Sequence, residues 1–91
     1  MPVADRIEAK LRTALAPTRL TVTDDSARHA GHAGARPGGE THFSVEIVSA
    51  QFAGKTRVAR HKLIYDLLAA EIAGGVHALA LKTLAPEEDR G

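Results

Sequence analysis

Apolar residues in this chain recur at two different intervals, and the order in which the intervals alternate leaves few folds open. Val3, Ile7, Leu11 and Leu15 fall every four residues, with Ala4 and Ala14 widening the stripe, which is the spacing of an amphipathic helix. Pro2 and Asp5 suit its first turn. Pro17 disfavours helical geometry at Ala16, so the helix is expected to stop near Leu15. The interval then drops to two. Leu20-Thr21-Val22-Thr23 reads as a strand with Leu20 and Val22 inward, and a stronger strand sets Phe43, Val45 and Ile47 against His42, Ser44 and Glu46. The helical interval returns at Ile64, Leu68 and Ile72, with Leu67 beside them, in a helix expected over about residues 56–73, between Gly54 and the Gly74-Gly75 stop. A last alternating run, VHALALKTL, covers residues 76–84 with Leu79 and Leu81 on one face, and Pro86 ends it.

The order is α-β-β-α-β. The first two strands can pair antiparallel. The β-α-β crossover should be right-handed, which sets strand three parallel to strand two. The predicted architecture is an α+β domain: a three-stranded mixed sheet with both helices packed on one face. At 91 residues the chain is read as one domain, residues 1–91. Residues 26–41, SARHAGHAGARPGGET, have no apolar period. They are expected to form a long mobile loop, least ordered at 30–40, and residues 86–91 are expected to fray.

Composition closes several routes. With no cysteine, neither a disulfide framework nor a thiolate-only metal site can form. Three aromatic side chains, Phe43, Phe52 and Tyr65, are too few for a base-stacking surface. Twelve basic against eleven acidic residues exclude a strongly electrostatic nucleic-acid binder overall, though not a local basic patch. No apolar run approaches the length of a membrane span, and no signal peptide is read at the start. The expectation is a soluble cytoplasmic protein without membrane association.

The chemistry-bearing residues are mostly histidines. His29 and His32 lie in the glycine-rich segment, where they can be ligands or idle loop residues. His77 opens the last strand, a position at which a side chain bonded to a carbonyl is the commoner role. His61 precedes Ile64, Leu68 and Ile72 by three, seven and eleven residues, which puts it on or beside the buried helix stripe as a packing residue. His42 alternates with Phe43 and is expected at the surface. Ser26 and Ser49 have no neighbouring base, Asp24 and Asp25 need no role beyond a strand end, and GARPGG lacks the ending of a phosphate loop. No enzyme is expected. Lys55, Arg57, Arg60 and Lys62, with His61 among them, make the helix start KTRVARHK basic, and no acid intervenes between Gly54 and Tyr65. Cations there oppose the helix dipole, so an anion such as a nucleic-acid phosphate or an acidic partner surface would gain from both. An ordinary solvated charged face is the competing reading.

Four stretches carry a resemblance: RIEAKLRTAL, DDSARH, ETHFSVEIVSAQFAGKTRVARHKLIYDLLAAEI and VHALALKT. Together they resemble the BolA family along nearly the whole chain, and the succession of RHKLIY and VHALAL is specific to it. The resemblance implies a fold like a class II KH domain. It implies a partner, a monothiol glutaredoxin with a Cys-Gly-Phe-Ser site. It also implies a [2Fe–2S] cluster shared with that glutaredoxin and glutathione, the isolated chain holding none and being a monomer or weak homodimer. The family's C-terminal histidine falls on His77 and its loop ligand on His29. His61 matches a further recurrent histidine, structural or a substitute ligand. The segment after His29 is longer than in relatives and contains His32, an alternative loop ligand. The resemblance leaves cluster trafficking and iron regulation both open. The alternative is a DNA-binding transcriptional regulator that uses the basic helix start, although no Gly-x-x-Gly stands there: the local sequence is Phe52-Ala53-Gly54-Lys55.

Overall fold

The computed structural model describes residues 2–25 and 42–89. The elements are helix α1 (Val3–Leu15), strand β1 (Arg19–Asp24), strand β2 (His42–Val48), a 3-10 turn (Ala50–Phe52), helix α2 (Arg57–Leu67), helix α3 (Ala69–Ala73), strand β3 (Ala78–Leu84) and a closing 3-10 turn (Pro86–Glu88). The sheet runs β1-β2-β3, with β1 and β2 antiparallel and β2 and β3 parallel. This is the mixed α+β arrangement that the apolar intervals predict. The expected loop, with His29 and His32, lies outside the described residues.

One apolar cluster holds the layers together. Ile7, Leu11 and Leu15 of α1, Phe43, Val45 and Ile47 of β2, and Ile64 of α2 with Leu68 are all buried in it. Leu20, Val22, Leu79 and Leu81 pack against its edge from the flanking strands. Each fully buried Leu, Ile or Phe contributes about 1.5–3 kcal/mol of transfer free energy. The helices thus cover one sheet face. Thr21, Thr23, Ser44, Glu46, Ala80 and Lys82 line an open groove over the other.

Local chemistry fixes the ends of the elements. The helix stops at Leu15 as the following proline predicts, but Ala16 takes the left-handed conformation of a helix cap at φ 43° rather than the extended one usual before proline, and its N–H closes on the Arg12 carbonyl. The buried Ser49 donates its hydroxyl to the Leu15 carbonyl at 2.6 Å and accepts from the Gln51 N–H at 3.1 Å, so one side chain caps both α1 and the following turn. Gly54 turns the chain at φ +76°, and Thr56 caps α2 by accepting from the Ala59 N–H.

Two expectations need correction. The helix expected over residues 56–73 is divided at Leu68 (φ −102°, ψ 17°), whose N–H is shared between the Ile64 and Asp66 carbonyls. This tightened turn moves the buried position beyond Leu68 from Ile72, half-buried, to Glu71, which faces α1. The Glu71 carboxylate accepts from Lys10 Nζ at 2.8 Å and from an Arg6 guanidinium nitrogen at 3.1 Å. The tail expected to fray is pinned through Asp89. Glu88 accepts from the Ala85 N–H and from Arg60, and Asp89 pairs with Arg19, which also bonds Glu46.

Candidate functional site

The Gly74-Gly75 stop positions His77. The Gly74 N–H closes on the Ala70 carbonyl, and Gly75 adopts φ +127°, a conformation open to glycine. Val76 then enters the core, and His77 emerges exposed one residue before β3. Tyr65, Ile72, Val76, Ala78 and Leu79 line a small hollow with it. His77 is therefore not the carbonyl-bound, partly buried strand-end histidine that position alone favours.

Beside it stands a histidine that the alternation pattern sets aside. His42 opens β2 opposite Ala78, and its ring centre lies 5.4 Å from that of His77, with the planes inclined at 53°. His42 retains only 8% of its exposure, which corrects its expected surface placement. The physical reason is the parallel register. It brings the residues before β3 alongside the first residue of β2, and a period-two pattern within one strand cannot show this.

The same corner holds both attachment points of residues 26–41. The Asp25 N–H donates to the His42 carbonyl at 2.7 Å, and the Asp25 carboxylate accepts the Ser44 hydroxyl. The segment bearing His29 and His32 therefore departs from and returns to the His42–His77 corner. His61 is half-buried on α2, beside the buried stripe as its spacing suggests. Among the described residues no group of three or more His, Cys, Asp or Glu is placed to hold a metal. His61 therefore does not complete a triad with His42 and His77.

The basic helix start is divided by the fold. Lys55, Arg57 and Lys62 are exposed, Lys62 bonding Asp66 one turn on. Arg60 is 8% exposed, which corrects its expected place among the solvent-facing cations. Its guanidinium donates to the Lys55 carbonyl (3.0 Å), the Thr83 carbonyl (3.0 Å) and Glu88 (2.7 Å), and sits 5.8 Å over the Phe52 ring. The Ala85 N–H and then Arg60 hold the Glu88 carboxyl below the usual carboxylate range. Arg60 thus ties α2 to the far end of β3. Arg60→Ala should cost about 2–3 kcal/mol, since it removes charge-assisted bonds and strands the Thr83 carbonyl. A urea midpoint unchanged from the parent chain would contradict this assignment.

Fold and corner together define a small α+β module with an exposed histidine at the sheet end and no catalytic constellation among its described residues. Residues 11–88 match the model of the family described as BolA-like protein. The DNA-binding transcriptional regulator BolA of Escherichia coli (strain K12) is 45% identical over 91 residues, covering 100% of this chain and 83% of that protein. SufE-like protein 1, chloroplastic/mitochondrial, of Arabidopsis thaliana is 49% identical over 87 residues, 91% of this chain but 24% of that longer protein. The solved BolA domain of SufE1 from Arabidopsis thaliana superposes with a TM-score of 0.89 at 46% identity, covering 98% of each chain. The chain belongs to the BolA-like family. Among the described residues no helix is long and apolar enough to cross a membrane.

Proposed function

We propose that this chain is a non-enzymatic partner of a monothiol glutaredoxin of the Cys-Gly-Phe-Ser type. It shares with that protein a glutathione-dependent [2Fe–2S] cluster through histidine ligands, in cluster trafficking or iron regulation. The observation that carries this reading is the placement of an exposed His77 at the corner where the His29-bearing segment attaches. The donor chemistry fits. A cysteine-free chain supplies imidazoles and needs a partner for thiolates, so it forms half of a site. His77 is the preorganised ligand, His29 the second and His32 its alternative, with His61 kept as a substitute. Imidazole ligation at one iron gives a cluster a higher reduction potential than thiolates alone. Ligation requires neutral imidazole, so association through these residues weakens on acidification. The test is the visible spectrum of a glutathione-loaded glutaredoxin–cluster complex with and without this chain.

A second reading rests on the exposed Lys55, Arg57 and Lys62 and on the printed name of the Escherichia coli relative. In it the start of α2 binds nucleic-acid phosphates. Lys55→Glu with Arg57→Glu should weaken DNA binding at low salt and flatten its salt dependence, each lost phosphate contact removing a slope of about 0.9. Equal affinity at low salt would remove the patch from consideration. Arg60 is unsuitable for this test because its replacement unfolds the tie to β3.

A further inference from the structure

We propose that the outer edge of β1 is an interface at which two copies of this chain join antiparallel, so that two three-stranded sheets run into one. This is independent of the shared-cluster reading, since it uses neither His77 nor the 26–41 segment. The pairing of β1 with β2 shows which backbone groups look outward. The Asp25 N–H donates to the His42 carbonyl, so along the register Arg19, Thr21 and Thr23 also direct their N–H and C=O groups at β2. Leu20 and Val22 turn theirs away from the sheet, and no described residue bonds them there. The opposite edge of the sheet is closed. The Ser49 N–H donates to the Leu84 carbonyl, which sets the even positions of β3 toward β2 and the odd ones outward. Of the outward carbonyls, that of Thr83 accepts from Arg60 at 3.0 Å and that of Leu79 is reached by the Tyr65 hydroxyl at 3.5 Å. β1 has no such guard and holds neither proline nor lysine, and an unguarded edge is a template for another strand.

A second copy fits this edge. A two-fold axis normal to the sheet pairs residues that share a face. The register that joins the outward groups sets Leu20 opposite Val22 of the copy, and Thr21 opposite Thr21. Leu20 and Val22 pack against the core from the helix side, so their pairing continues the apolar face across the seam. The exposed Thr21 hydroxyls meet on the open face, and both kinds of cross-strand pair are favourable. The helix layer carries matching charges. α1 lies over β1 and sends Arg6 and Lys10 to Glu71 of α3. By the helical period Glu8 and Arg12 then occupy the opposite flank, away from α3. That flank bears one acid and one base, so two such flanks set antiparallel offer each charge an opposite one. A seam one strand wide lies at the small end of protein interfaces, below about 1,200 Å² in total, which makes the dimer weak and dependent on concentration.

The experiment follows the whole chain by sedimentation equilibrium from about 10 μM to about 1 mM, the span of weak association, and by amide hydrogen exchange at the two ends of that range. The chain should pass from monomer to dimer, and exchange at the Leu20 and Val22 amides should slow as concentration rises. Val22→Pro removes an N–H that β2 does not use, and the two-fold deletes it twice, so the dissociation constant should rise about tenfold. Thr21→Lys sets two like charges against each other at the axis and should also raise it, more at low salt than at high. Thr21 is exposed and stands opposite Glu46 of its own chain, so Thr21→Lys keeps the fold and decides the question even if Val22→Pro does not fold. A chain that stays monomeric through the range would overturn the proposal. So would a dimer that Thr21→Lys leaves equally tight at low salt, or exchange at Leu20 and Val22 that ignores concentration. The shared-cluster reading fails separately, when the chain leaves the glutaredoxin cluster spectrum unaltered.

Discussion

In a mixed complex with a glutathione-loaded monothiol glutaredoxin, His77→Ala is expected to abolish the histidine-ligated form of the cluster spectrum. The substitution removes an exposed imidazole that no core contact needs, so the fold should survive, as far-UV circular dichroism would show. The magnitude follows from the ligand count: one of two imidazoles is gone, and no cysteine is available to replace it. His29→Ala should only perturb the spectrum, because His32 lies three residues further along the same segment. The double change with His32→Ala should remove the histidine-ligated form. A folded, partner-bound His77→Ala chain giving the wild-type spectrum would show that the ligand lies elsewhere.

The second large effect concerns stability. Arg6→Ala combined with Lys10→Ala should destabilise the domain by about 2–3 kcal/mol at neutral pH, as the Glu71 carboxylate is then left buried without a counter-ion. The estimate sits at the low end for a broken buried pair because both cations are nearly half-exposed in the parent chain, whereas the Glu71 side chain is almost wholly buried. Burial alone would raise the Glu71 pKa. The Lys10 hydrogen bond, a backbone hydrogen bond and the charges of Lys10 and Arg6 together outweigh it and hold the pKa below the usual carboxylate range. A depressed folded pKa contributes stability that is present above the unfolded value, near 4.3, and is lost as pH falls through the folded one. Without the two cations only a backbone hydrogen bond opposes burial, so the Glu71 pKa rises and the variant should regain stability relative to the parent as pH falls from 7 toward 4. Glu71→Leu, which removes the buried charge itself, should be close to neutral. Urea midpoints at the two pH values check all three. A double variant within 1 kcal/mol of the parent at pH 7 would contradict the account.

These two predictions divide along what the sequence makes legible. The apolar periods of α1, β1, β2 and β3 locate the elements because each has one face in the same core, and burial at Ile7, Leu11, Phe43, Val45 and Ile47 follows that pattern directly. His77 is singled out as a candidate by the resemblance at VHAL, whereas its exposure is not legible from its position after the Gly-Gly stop, which favours a partly buried role. What escapes is whatever depends on a neighbour distant in the chain. Glu71 is not singled out by any sequence pattern and becomes buried because the turn at Leu68 aims it between Arg6 and Lys10, more than sixty residues earlier. Arg60 reads as one cation among four and becomes buried because Thr83 and Glu88 offer it oxygen at the end of β3. His42 reads as a polar-face strand residue until the parallel register sets His77 beside it. The pinned tail has the same cause: the pairs Arg60–Glu88 and Arg19–Asp89 join segments that no local pattern connects.

The central claim is that this chain contributes histidine ligands to a cluster shared with a glutaredoxin. The most direct measurement mixes it with a glutathione-loaded monothiol glutaredoxin and an iron–sulfur source, then records the visible absorption and circular dichroism of the product. The account predicts a one-to-one complex whose cluster spectrum differs from that of the glutaredoxin alone and loses that difference in His77→Ala. A spectrum identical to that of the glutaredoxin alone, with this chain folded and present in excess, would contradict it.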